Sequence, residues 1–315
     1  MTFYKASSFG NDFIVVAAEE LAGRADPEAL AREICDRRTG VGGDGVVFYR
    51  LAGRKAAVPG ESSLKRVSAS PGGGKFRIEF QVRNRDGGAA ELSGNGMAAL
   101  AATLLQRRRA ATPLLLRTAC GPRRVALLGR QGPVFHLDVE IGRPDFAARD
   151  FFPFLRARQA GYRAAGVKFY PVAVANPHAV VLCRTLPSAA RLAALGKKLQ
   201  GHALFPGRVN VEFVQFVSRE HCRVFFYERG VGPTPASSTG SAAVFAVLRR
   251  LGLAGDRLVI ERWTAPSGQG EEYPPEIHVR WQGGIHVRTV TRLVCKGEYF
   301  DKEMQRKKVK GKRKK

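Results

Sequence analysis

The chain has 315 residues, 44% of them hydrophobic, and a formal charge of +25. Its length suits two domains of about 150 residues each, and its composition is that of a folded globular chain rather than a disordered one. No apolar run reaches the roughly 18 residues that a membrane helix needs, so no membrane role is expected.

The opening residues, MTFYKASSFGNDFIVV, lack the basic, apolar and small-residue succession of a secretory signal, and a cytoplasmic location is expected. Polar punctuation then begins with 10-GNDF-13 and 40-GVGGDG-45, each a turn signal by itself. The stretch 51–75 is rich in Gly, Ser, Pro and Lys/Arg, and reads as a flexible excursion between strands. After 84-NRDGG-88 comes 91-ELSGNGMAALAATLL-105, where Ser93 is placed to cap a helix that carries no charge before Arg107. A helix apolar all round is a buried one. The loop 129-GRQG-132 is the expected hinge region. Residues 170–183, 210–218, 222–228, 257–263, 277–281 and 286–294 alternate with period two and predict strands. Among them lie 176-NPH-178, Asn210 and 228-ERGVG-232. A second uncharged helix follows Ser237 and ends in LRRLG, with its basic turn and terminal glycine in the expected places. The tail, 306-RKKVKGKRKK-315, carries eight positive charges in ten residues and is expected to be disordered.

The two helix starts are related. SGNGMAALAATL and SSTGSAAVFAVL, 144 residues apart, share six of twelve positions, which points to an internal duplication. One buried helix among strands, made twice, predicts an α+β fold of two pseudo-symmetric domains, each a sheet or barrel wrapped around a central helix. A doubly wound α/β fold would need more helices between its strands. The expected domains are 1–135 with 283–302 returning to it, and 136–282, with the tail from 303. Both helix starts also present unpaired N–H groups beside glycines, a pair of termini suited to holding one carboxylate from two sides. The five cysteines, at 35, 120, 183, 222 and 295, are odd in number and form no CxxC pair, so neither a disulfide framework nor a metal site is indicated.

Taken in order, GNDF, RxxGVGxDG, NxDGxxxELxGNG, NPHAV, NVEF and ERGxGxTxA(x)xTG span residues 10–240 and resemble the diaminopimelate epimerases, cofactor-independent amino-acid epimerases that convert the LL to the meso form. The resemblance implies the two-domain fold, no cofactor, a diaminopimelate-like ligand, and a place in lysine and peptidoglycan precursor synthesis. It assigns Asn11, Asn84, Asn176 and Asn210 to the substrate's distal end or the site lining, and Glu228 and Arg229 to the distal ammonium and carboxylate. It gives Gly94, Asn95, Ser238 and Thr239 to the loops that present donors to the reacting carboxylate. His178 and Asp86 match polar positions near the bases. A homodimer is left open.

The resemblance also exposes a departure. The family's two cysteine bases fall on Ser93 and Ser237, and a polar loop residue of the family falls on Pro233. Inversion at an α-carbon needs one group to remove a weakly acidic proton and a second to deliver one from the opposite face. Thiols, titrating near about 8.5, can divide those tasks; an alcohol ionises several units higher, and at about 1.4 kcal/mol per unit a helix dipole cannot bridge the gap. The reading is therefore a non-epimerising, amino-acid-binding homologue. The alternatives are an isomerase or lyase with a non-thiol base, and a protein that associates weakly with nucleic acid or another polyanion through its basic insert and tail.

Overall fold

Two helices with almost no charge along their length must be enclosed, and each lies inside a ring of strands. In the computed structural model, residues 1–21, 26–51, 78–155, 161–263 and 273–300 are described; the basic insert and the tail lie outside them. Helix α1 spans Pro27–Ile34, α2 Gly94–Gln106, α3 Ala189–Gln200 and α4 Ser238–Arg250. Every residue of α2 from Gly94 to Leu104 is buried, as is every residue of α4 from Ser238 to Leu248.

Around α2 the strands close on themselves. Thr2–Ser8 pairs with Asn11–Ala17, which runs parallel to Gly45–Leu51; the ring continues through Ile78–Asn84, Leu114–Thr118, Gly121–Gln131, Val134–Gly142 and Ile285–Glu298, which returns to Thr2–Ser8. The result is an eight-stranded barrel. Around α4 the same plan recurs. Val167–Val174 pairs with Asn176–Cys183, which is parallel to Asn210–Ser218. His221–Glu228, Arg257–Arg262 and Glu276–Trp281 follow, up to the beginning of Ile285–Glu298. A bridge from Asp145 to Ala173, just beyond Val134–Gly142, completes the circuit. Each ring has two parallel pairs, and each parallel pair needs a crossover helix: α1 and α2 in one, α3 and α4 in the other.

The crossovers explain strands buried on both faces. In Asn11–Ala17 the residues Ile14 and Val16 pack outward against Leu30, Ala31 and Ile34 of α1, while Phe13 and Val15 face α2. Val211 and Phe213 pack outward on Leu192 and Leu199 of α3, while Val214 joins the core around α4. Where no helix covers the outside, the alternation is plain: Leu114, Leu116 and Thr118 are buried and Leu115 and Arg117 exposed.

Capping shows the duplication at atomic detail. Ser93 (φ −136°, ψ 114°) accepts from the Gly96 N–H, and Ser237 (φ −137°, ψ 121°) from the Gly240 N–H, so each serine satisfies one orphan donor of its helix. The C-terminal ends differ. Helix α4 leaves through Gly252 at φ 71°, the left-handed turn that glycine favours, whereas α2 leaves through Arg108 at φ 51°. Among the described residues no helix is long and apolar enough to cross a membrane.

Candidate functional site

The N-termini of α2 and α4 abut. A Cβ on Gly94 would stand 2.4 Å from the Ser238 Cβ and 2.8 Å from Ile141, so only glycine lets the two helix starts come this close. The cleft at this junction is small, with a free volume of about 50 Å³. Asn11, Asn84, Ser93, Gly94, Asn95, Asn176, Asn210, Glu228, Arg229, Ser237, Ser238 and Thr239 line it, with Phe13, Asp44 and several apolar residues.

The donors are set by helix geometry. In α2 the Met97 N–H closes the first intrahelical bond to Ser93 and the Gly96 N–H goes to the Ser93 hydroxyl; in α4, Ser241 and Gly240 do the same on Ser237. The N–H groups of Gly94 and Asn95, and of Ser238 and Thr239, therefore have no partner within their helices. Four donors and two positive dipole ends converge on one space, an arrangement that favours a carboxylate by about 0.3–1 kcal/mol per helix end.

Side-chain bonds tie the junction together. The Ser238 hydroxyl donates to Asn95 Oδ1 at 2.5 Å, Asn95 Nδ2 donates to Asn11 Oδ1 at 3.1 Å, and Asn11 Nδ2 donates to Asp44 Oδ2 at 2.8 Å. Asp44 and Asp12 share the Arg37 guanidinium at 2.9 and 2.7 Å. Burial and the neighbouring Asp12 charge push the Asp44 carboxyl up from the usual carboxylate range. Two of the asparagines act on backbone. Asn176 donates to the Leu92 carbonyl at 2.9 Å and accepts from its N–H at 3.2 Å, clamping the segment before Ser93. Asn210 donates to the Pro177 carbonyl and accepts from the Arg229 N–H at 2.8 Å, which fixes the Glu228–Arg229 corner.

Glu228 sits at that corner. Burial pushes its carboxyl up to about 7, and the nearby charges of Asp44 and Glu212 push the same way. Arg229 extends its guanidinium to the Glu91 carboxylate at 2.5 Å and to the Gly207 carbonyl at 3.3 Å.

His178 is not among the cleft-lining residues. It is fully buried, its Nδ1 lies 2.8 Å from Glu212 Oε1, and His178 Nε2 and Glu212 Oε2 have no partner. A Cβ on Gly240 would meet Glu212 at 2.8 Å, so this pair lies behind the first turn of α4. Asp86 is also outside the lining; its carboxylate accepts from the Gly88 N–H at 2.9 Å and stands close to Gly230. Sequence reasoning passed over Asp44, hidden in a glycine-rich turn signal, and Glu91 and Glu212. Strand parity gave one usable hint: Asn210 and Glu212 are two apart and share a face.

None of the chain's five cysteines lines the cleft. Cys35 and Cys222 are in hydrophobic cores, where burial pushes both thiols up to about 12, and Cys295 is exposed on the last strand. Among the described residues no group of acidic, His and Cys side chains could hold a metal ion.

The family model described as diaminopimelate epimerase matches residues 3–147 and 170–263. The diaminopimelate epimerase of Carboxydothermus hydrogenoformans is 29% identical over 311 residues, covering 95% of this chain and 100% of the relative. That of Desulforudis audaxviator is 35% identical over 254 residues, covering 78% and 82%. A crystal structure of a hydroxyproline epimerase from Agrobacterium vitis, with bound trans-4-hydroxy-L-proline, superposes with a TM-score of 0.58 over 95% of this chain and 89% of its own, at 17% identity. At that identity the likeness concerns the fold alone.

Proposed function

The chain belongs to the diaminopimelate epimerase family, and we propose that this member binds a diaminopimelate-like amino acid between its two helix starts without inverting it by the two-thiol route. Two domains, one around each central helix, would then hold the ligand between them. The α-carboxylate sits on the N–H groups of Gly94, Asn95, Ser238 and Thr239, an ammonium faces Glu228, and Asn84 and Arg229 meet the distal end.

The observation that carries the reading is the occupancy of the two base positions. The motif order assigns them to Ser93 and Ser237; both hydroxyl oxygens are engaged as helix caps at 3.0 and 3.1 Å, and no cysteine lines the cleft. The carboxylate-binding half of the site survives that exchange because its donors are backbone groups. An alcohol cannot take the thiolate's place as a standing base near neutral pH.

One observation favours a second reading. Glu228, with its carboxyl raised to about 7 by burial, is a poised acid–base group on the α4 side of the cleft. That asymmetry supports exchange of an α-proton without inversion.

Thermal stabilisation tests the binding reading. LL- or meso-diaminopimelate is expected to raise the melting temperature of the wild type, and the effect is lost in Asn210→Ala, which releases the Glu228–Arg229 corner. No shift with any of a panel of amino acids would sink it. Association with polyanions rests on a separate feature, the eight positive charges of residues 306–315; salt-sensitive RNA affinity lost on removal of 303–315 supports it, and affinity indifferent to salt or truncation rejects it.

A further inference from the structure

Strand parity divides Arg257–Arg262, Glu276–Trp281 and the start of Ile285–Glu298 into two faces. Leu258, Ile260, Ile277, Val279, Ile285 and Val287 turn inward to the core around α4, whereas Arg257, His278 and Arg288 are exposed on the outside. A pocket opens on that outer face, with a free volume of about 350 Å³, lined by Arg257, Arg280, Arg288, His278, Val259 and Glu220. It is several times larger than the cleft and within the usual size of a small-molecule site. The two lie at opposite ends of α4. The cleft is at the N-terminus, whereas Arg257 comes shortly after the C-terminus, where the Trp281 N–H donates to the Asp256 carbonyl. The 13 residues of α4 put roughly 20 Å between them.

Register concentrates positive charge in this pocket. Arg257 is the direct cross-strand partner of Arg280, and like charges placed opposite one another in a sheet destabilise it. Asp138 accepts from Arg280 at 3.0 Å and also lies 2.9 Å from His286 Nδ1, so its charge is already shared. Arg288 stands opposite Asp138 in register, yet the side chains of Arg257 and Arg288 enter no ion pair or hydrogen bond among the described residues. His278 faces Glu276 at 3.8 Å, and Glu220 is an exposed acid on the lining. Three guanidinium groups therefore share one pocket, and two of them are unengaged.

We propose that this pocket binds a small phosphate monoester through Arg257, Arg280 and Arg288, independently of what the cleft binds. A carboxylate has two acceptor oxygens and one charge, which a single planar guanidinium fork satisfies; three forks suit a group with three oxygens and close to two charges. An anion between Arg257 and Arg280 also offsets their repulsion. No Phe, Tyr or Trp among the described residues lines the pocket to stack bases, so a small phosphoester fits it better than a single-stranded nucleic acid.

Isothermal titration of the full chain with glycerol 3-phosphate, and with glycerol as its phosphate-free counterpart, tests the proposal. The wild type is expected to bind the first and not the second. Arg257→Gln and Arg288→Gln each weaken binding about tenfold, the scale of one charge-assisted contact, and the double variant abolishes it. Arg288→Lys, which keeps the charge but loses the fork, recovers part of the affinity. Arg191→Gln removes the same charge from the exposed start of α3 and leaves binding within about twofold, since a distant exposed charge is screened. The substituted side chains are exposed, so the variants are expected to fold. Binding that survives in the double variant, or that Arg191→Gln weakens equally, overturns the proposal, because the anion would then be answering the +25 charge as a whole. Failure of the wild type to bind glycerol 3-phosphate overturns it as well. So does a uridine oligonucleotide that binds through Arg257 and Arg288 where glycerol 3-phosphate does not, an outcome that assigns the face to nucleic acid.

Discussion

Replacing Glu228 by glutamine removes a titrating group while keeping the side chain's size and polarity. The folded protein holds the Glu228 carboxyl at about 7 against an ordinary value of 4.5. Between those two values the folded state binds more protons than the unfolded one, so wild-type stability falls as pH rises through that window and stays lowered above it. At about 1.4 kcal/mol per unit the loss is about 2–3 kcal/mol, the lower end allowing for water reaching the cleft mouth. With an unfolding entropy of about 2.1 cal/mol/K per residue, that corresponds to roughly 3–5 °C for a chain of this length. Thermal denaturation of wild type and Glu228→Gln at pH 5 and pH 8 measures it. The two are expected to melt close together at pH 5, where the wild-type carboxyl is protonated, and the variant to melt higher at pH 8. Asp44 and the other groups titrate equally in both proteins and cancel. A variant that loses stability equally at both pH values would refute the reasoning, because Glu228 would then be held by favourable bonds rather than by burial.

Gly94→Ala forces a Cβ to within 2.4 Å of Ser238 and is expected to cost about 2–3 kcal/mol in urea unfolding and to abolish ligand-induced stabilisation, since the helix starts must separate. The same substitution at Gly166, where a Cβ meets nothing within 4 Å but φ is +81°, is the control for backbone strain alone: it lowers stability and leaves ligand binding intact. Glu212→Ala strips the buried His178 of its side-chain partner among the described residues and is expected to destabilise by about 1–3 kcal/mol, the cost of an unsatisfied buried polar group, with Glu212→Gln losing less because it still offers an oxygen to the ring.

Much of the fold was legible because its strongest signals are chemical. Two uncharged helices behind Ser-Gly-Asn-Gly and Ser-Ser-Thr-Gly can only be central, and the period-two segments around them can only be strands. The outer helices were less visible. PEALAREI is short, and what places it is the double-sided burial of Ile14, Val16, Val46 and Phe48, which a sequence expresses as a continuous apolar run with no indication of what covers it. Depth within a strand is likewise absent from parity. Asn176 and His178 lie two apart on one strand, yet the first lines the cleft and the second is buried behind α4 with Glu212. The Glu91–Arg229 pair joins residues 138 apart, and nothing local marks either as the other's partner. Asp44 escaped because an Asp-Gly in a glycine-rich stretch is a sufficient turn by itself.

Stereochemical assay of the wild type beside Ser93→Cys/Ser237→Cys bears most directly on the central claim. Each protein is incubated with LL-diaminopimelate in deuterated water, and both the meso product and α-deuterium are measured. The wild type is expected to form no meso product, with deuterium confined at most to the unconverted LL form if Glu228 acts alone, and the double cysteine variant is expected to form deuterated meso product. Meso product from the wild type at a rate the cysteines do not improve would contradict the account, because Ser93 and Ser237 would then be working bases.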